Sequence, residues 1–170
     1  GLPRLFYRTT LEELLDTDPI GIGSSSATSA SFQYAVNFNK DLILFSSEHQ
    51  ALIAGGNTPI TPKNANIMLT STYTADMSVE PVSLGRSIMY PMPRSLSTYG
   101  MMEMITSSYT DSAYISTDVT EHIPTYLKGR CRIAVSSTVG SIALFGSTEC
   151  VRTLYVHEYV WEGDEKLLKA

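Results

Sequence analysis

The sequence is poor in charge. Asp, Glu, Lys and Arg make up 17% of its 170 residues, against the quarter that is usual in soluble domains. The formal net charge is −5, which argues against attraction to nucleic acid through an overall basic surface. Cysteine is scarce as well: Cys131 and Cys150 stand alone, with no Cys-x-x-Cys pair and no zinc-ligand spacing. Neighbouring strands would permit a disulfide, but two cysteines in a chain of this length read as free, buried thiols. No apolar run approaches the length of a membrane span. No signal-peptide pattern opens the chain and its first residue is Gly, so we expect a piece of a longer protein, cut at both ends. Nucleophile elbow, phosphate-binding Gly-rich loop and metalloprotease helix are all missing. Gly21-Ile22-Gly23 lacks the third glycine and the preceding strand of a dinucleotide site.

Ser, Thr and Tyr supply the polar side chains instead, which suits strands and turns. The stretch that organises the chain is residues 32–62. Phe32 to Phe38 reads as a strand, Asn39-Lys40 as a tight turn, and Leu42-Ile43-Leu44-Phe45 as a strand buried on both faces. His49 to Ala54 gives a third strand, closed by Gly55-Gly56-Asn57. Short antiparallel strands joined by two-residue turns form a meander, the unit of a propeller blade. Leu42, Leu44, Phe45, Leu52 and Ile53 are the predicted core of this unit.

The rest follows the same grammar. Ile67 to Tyr73 alternates and closes the first unit at its outer edge. Val79–Gly85, Ser87–Tyr90 and Tyr99–Ile105 build a second unit, in which Met101, Met102 and Met104 fill core gaps. Arg130–Ser136, Ser141–Phe145 and Val151–Trp161 build a third. Two short helices are expected. One opens at Thr10, with Glu13 completing a capping box. The other spans Asp118–His122, with Thr117 as its cap. The fold class is therefore all-β with two short helices: antiparallel meanders, about nine strands, part of a β-propeller-like domain. A two-sheet sandwich is the rival. Residues 1–31 form an N-terminal segment with a short helix and a flexible loop, 32–161 the β-rich domain, and 162–170 the start of a truncated element.

Candidate chemistry is thin. Asp118 and His122 would share one helical face and could hold a metal, but that spacing more often makes a surface pair. His49 reads as a solvated turn residue and His157 as half-buried against tyrosines. A glycosidase needs two carboxylates about 5–10 Å apart. Asp76, Glu80, Asp111 and Glu121 are available, and sequence does not place two of them together. We expect no catalytic, cofactor-binding or metal-binding residue and no enzyme.

Several motifs stand in a fixed order: Phe6-Tyr7-Arg8-Thr9-Thr10, Leu14 to Ile20, Leu44-Phe45-Ser46 with its acidic turn and Thr58-Pro59, Glu80-Pro81-Val82 with Gly85-Arg86-Ser87, and Asp118 to Tyr126. Together they resemble the nozzle, or tail tubular protein B, family of short-tailed bacteriophages, over Phe6 to Tyr126. The resemblance implies a virion tail protein. It also implies a hexameric ring joined to the tail adaptor and the tail fibres, with a channel through which DNA leaves without specific binding. It carries no cofactor. A channel face that is acidic or uncharged follows as an expectation, with Asp76, Glu80, Asp111 and Glu121 as candidates and Lys and Arg placed mainly at subunit or fibre contacts. The Gly21–Ser31 and Tyr109–Thr117 stretches are expected to meet neighbouring subunits. A glycan-binding or glycan-cleaving β-propeller is the alternative.

Overall fold

A computed structural model describes residues 31–55, 61, 66–107, 114–162 and 165–169. The first meander holds β1 (Tyr34–Phe38), β2 (Asp41–Phe45), β3 (Gln50–Ile53) and β4 (Ile67–Ser71). The second holds β5 (Val82–Ser83), β6 (Ser87–Pro93), β7 (Tyr99–Thr106) and β8 (Tyr114–Asp118). The third holds β9 (Cys131–Ser137), β10 (Ile142–Ser147), β11 (Leu154–Glu162) and β12 (Glu165–Lys169). Each group forms its own four-stranded antiparallel sheet, ordered as in the chain. The sheets begin at residues 34, 82 and 131, so their starts lie 48 and 49 residues apart. Three sheets, not two, replace the sandwich alternative.

Local chemistry explains the hairpins. Asn39 and Lys40 both take left-handed φ values, 48° and 71°, as a two-residue hairpin turn matched to strand twist requires. Asn tolerates that region better than most residues. The turn sets the register Phe38 to Asp41 and Val36 to Ile43. At the far end of β2, the Ser46 hydroxyl donates to the His49 carbonyl at 2.8 Å and accepts from the His49 amide.

The sheets stack face to face, and period-two alternation assigns each side chain to one layer. Ile43, Phe45 and Leu52 of the first sheet meet Ile88, Tyr90, Met102, Met104 and Tyr114 of the second. Met89, Tyr99 and Met101, on the reverse of the second sheet, meet Cys131, Ala143, Phe145 and Tyr159 of the third. The middle sheet is thus covered on both faces. The three methionines are buried as expected, but they serve different layers. The core prediction needs one exchange. Phe45, Leu52 and Ile53 are buried, but Leu42 and Leu44 are only half-buried. Ile43 takes their place, because it shares the inward face with Phe45.

Polar groups pin the layers. The Tyr114 hydroxyl donates to Asp41 Oδ2 at 2.6 Å across the first interface. Ser136 Oγ donates to the Ser83 carbonyl at 2.7 Å across the second, where the Arg86 guanidinium also lies 5.2 Å above the Trp161 ring. Gln50, fully buried, donates to the Tyr73 carbonyl and accepts from Ser71.

The second expected helix is overturned. Asp118 ends β8, Thr117 pairs with Glu103, and residues 119–122 are turns. The Asp118 carboxylate does bond the amide two residues on, but as a turn: Thr120 N donates to Asp118 Oδ1 at 2.8 Å. Its other oxygen takes Arg94 at 2.5 Å. The expected helix at Thr10 lies outside the described residues. The strand β8 has no counterpart in the sequence patterns, and β12 falls within residues 162–170, expected only as the start of an element of unspecified type. Since Tyr114 to Thr117 pair within their own chain, that part of the Tyr109–Thr117 stretch is not held for a neighbour. Residues 21–30 and 109–113 fall outside the described set. Among the described residues, no helix is long and apolar enough to cross a membrane.

Candidate functional site

The chemistry-bearing residues are scattered. Asp118 is engaged by Arg94 and Thr120, while His122 stands exposed on the following turn. Among the described residues no group of three or more potential ligands gathers for a metal. His49 is half-buried, with its ring 6.2 Å from Phe32 edge to face, rather than solvated. His157 is half-buried and stacks on Tyr159 at 6.2 Å, as expected. Glu80 and Glu121 are exposed; Asp111 lies outside the described residues. Asp76 is buried, which removes it as a channel-facing candidate. Its Oδ1 accepts from the amide and hydroxyl of Ser78, and Arg130 stands 3.8 Å from its Oδ2.

A cleft of about 330 Å³ opens between residues 119–127 and the β10–β11 side of the third sheet. Leu127, Phe145 and Tyr155 line it, with His122 and His157, and no carboxylate faces it. The acid pair that glycoside cleavage requires is therefore not built there. The two cysteines are not bonded to each other. Burial pushes the Cys131 thiol up to about 12, so it stays protonated and poorly nucleophilic at neutral pH. Burial likewise pushes the Tyr90 phenol up to about 12.

What the structure does assemble is a latch and a face. In the latch, Arg94 reaches from the β6–β7 hairpin to Asp118 and, at 3.1 Å, to Thr120 Oγ1. Thr120 Oγ1 also accepts from the Met101 amide at 3.1 Å. Gly100 makes room: a Cβ there would lie 2.7 Å from Arg94 Nη2. The latch ties the end of β8 to the end of β6, two strands away. In sequence, Asp118 and Thr120 read as the first turn of a helix capped by Thr117, and Arg94 carries no local signal that joins it to them.

The face is the outer side of the third sheet. Ala143 and Phe145 of β10 point inward, so Leu144 points outward. Leu144 stands opposite Val135 on one side and Val156 on the other. Gly146, next outward residue along, stands opposite Ile133 and Leu154. Ile133, Val135, Leu154 and Val156 are exposed, as is Val160 further along β11. The alternation of β11 was legible, but sequence does not say which of its two faces stays open. Beside this face lies a concentration of positive charge. Lys128, Arg130, Arg132 and Arg152 are all exposed, with Glu149 the one acid in residues 128–152. That stretch carries +3, so the remainder of a chain at −5 carries −8. Arg132 donates to the Val151 carbonyl at 3.4 Å, beside the open face.

Comparison with known proteins bears on this architecture. The family described as bacteriophage nozzle protein matches residues 3–170, past Tyr126 where the motif resemblance ends. The tail tubular protein gp12 of Escherichia phage T7 is 29% identical over 122 residues, which are 72% of this chain and 15% of that protein. The chain thus spans a small part of the length of the curated relative it matches. With that match covering nearly every residue, the chain belongs to the bacteriophage nozzle protein family, a family of the virion tail.

Proposed function

We propose that this chain is a structural part of the phage tail tube, in which full-length copies form a six-fold ring around a channel for DNA. In this reading each four-stranded meander is one blade of a propeller-like arrangement, reached through residues 1–31, and the chain catalyses nothing. The observation that carries it is the stack itself: three successive meanders at near-constant spacing, joined through buried faces. Such a body is a stiff wall element, and the cleft beside it has no acid pair.

The ring joins the tail adaptor and the tail fibres. DNA passes without specific binding, because phosphate contacts from Lys and Arg would add drag. The channel face is acidic or uncharged, with exposed Glu80 and Glu121 as its candidates, and the cations of residues 128–152 belong to protein contacts. Electron microscopy of the full-length protein tests the proposal. A six-fold ring with an open channel is the expected image. A stable monomer at micromolar concentration, or a closed particle, would refute it.

A further inference from the structure

The cleft beside residues 119–127 is apolar inside and has cations next to it. Leu127, Phe145 and Tyr155 line it. The Tyr126 ring meets the Tyr155 ring edge to face at 5.4 Å, which ties its two walls together. Lys128 follows the lining residue Leu127, and Arg152 precedes the lining residue Thr153. Both cations are exposed. Glu121 and Glu158 adjoin lining residues in the chain, but neither lines the cleft. Backbone bonds hold the surroundings: Gly129 N donates to the Ser97 carbonyl at 2.7 Å, and Thr148 N to the Arg130 carbonyl at 2.9 Å. The site is therefore organised before anything enters it, which lowers the cost of binding.

Charge and hydropathy select the occupant. An apolar cleft with cations beside it and no carboxylate facing it suits an acidic segment that carries aliphatic anchors. Residues 10–20, which lie outside the described residues, have that chemistry. Glu12, Glu13, Asp16 and Asp18 give them −4, with no Lys or Arg. Leu11, Leu14 and Leu15 are spaced to share one side of a helix, and so short a helix is marginal without a surface to pack against. Position agrees with chemistry. Phe32, just before β1, packs on His49 of the β2–β3 turn. The Ser47 carbonyl of that turn accepts from the Ala75 amide, and Asp76, next along, stands 3.8 Å from Arg130. The chain thus enters the first sheet at the end of the stack that carries the cleft. Residues 21–33 separate the segment from β1 and can span up to ~45 Å, whereas adjacent sheets lie ~10 Å apart. A tethered segment within reach of its site is present there at an effective concentration of about millimolar, so the chain's own segment outcompetes a neighbour's.

We infer that residues 10–20 dock on this cleft in their own chain, with Leu11, Leu14 and Leu15 in the cleft and the acids beside Lys128 and Arg152. This narrows the protein contact proposed for these cations to one partner, and it does not need the ring of six copies. The test is maleimide labelling of the full-length protein with Cys150 and any other reactive cysteine replaced by Ser. Thr153→Cys reports on the cleft. Val139→Cys, at a position 98% exposed on the β9–β10 turn at the far end of the sheet, is the reference.

The Thr153→Cys thiol reacts about tenfold more slowly than the Val139→Cys thiol, equally at nanomolar and micromolar protein, because labelling waits for the segment to leave. Lys128→Glu with Arg152→Glu abolishes that protection. Adding Glu12→Lys with Asp16→Lys restores it, which a misfolded variant would not do. Protection that survives the first pair of changes, or that the second pair does not restore, would overturn the inference. So would protection that survives Leu11→Ser with Leu14→Ser, since another occupant then fills the cleft. Equal labelling of the two thiols would overturn it, and protection that grows with protein concentration would give the cleft to a neighbouring copy instead. Protection that persists in a protein that never forms a ring would refute the tube proposal and leave this inference standing.

Discussion

Phe45 and Leu44 are chain neighbours whose replacement by Ala is predicted to have very different effects. The Phe45 ring is fully buried and lies 5.2 Å from the Tyr90 ring, centroid to centroid, at the interface of the first two sheets. Deleting it removes a large apolar side chain and leaves a cavity, at a cost of about 3–5 kcal/mol that includes the lost aromatic contact. Leu44 is half-buried on the opposite face. Its truncation forfeits roughly half of a leucine's transfer free energy and opens no enclosed cavity, so about 1 kcal/mol is expected. Urea unfolding separates the two. With a slope near 2 kcal/mol per molar, Phe45→Ala lowers the midpoint by roughly 2 M and Leu44→Ala by about 0.5 M. Equal shifts, or a larger one for Leu44→Ala, would refute the assignment of faces and with it the stacking of the first sheet on the second.

The latch predicts coupling: Gly100→Ala destabilises by about 1–3 kcal/mol as its Cβ meets Arg94 Nη2, with Thr120 Oγ1 and Met92 Cε also close, and in an Arg94→Ala background the same change costs about 1 kcal/mol less. A double-mutant cycle showing simple additivity would dissolve the latch. Alkali is predicted to weaken the fold. The Cys131 thiol rises from 9.0 to about 12 when folded, so its neutral form matches the folded state below pH 9, and stability falls from pH 9 towards 12 as the unfolded thiol ionises. The slope approaches about 1.4 kcal/mol per pH unit for this group, and Cys131→Ala, compared at each pH in urea, removes it; an unchanged slope would refute the assignment. Duplex DNA at about 50 mM salt, where electrostatic binding is exaggerated, is expected to give no gel shift at micromolar protein, and a clear shift would overturn the acidic-wall reading.

Much of the fold was legible because its hairpins are local. Asn39-Lys40 sits where two apolar runs meet, and only a tight turn reconciles them. The helix read at Asp118 failed for a definite reason. A hydroxyl followed by an acid, as at Thr117-Asp118, looks the same in sequence at the start of a helix and at the end of a strand that runs into a turn. Arg94, 24 residues away, settles the choice. β8 was missed because Tyr114, Ser116 and Asp118 are hydroxylic or charged, though Tyr114 and Ser116 are buried once β7 lies beside them. Gln50 shows the same limit: its burial depends on Tyr73 and Ser71, which only the sheet brings within reach. The open face of the third sheet was hidden because both sides of β11 alternate equally well.

Building every sheet from consecutive strands has a consequence for synthesis. No strand waits for a distant partner within its own sheet, so one sheet can close each time another 48 or 49 residues leave the ribosome. At roughly 5–20 residues per second that interval is about 2–10 s. During each interval the newest sheet presents a bare apolar face to the cell, and the next sheet ends that exposure. Pauses in translation between sheets would therefore lengthen the period of greatest aggregation risk, while pauses within a sheet would leave the preceding face bare for longer still.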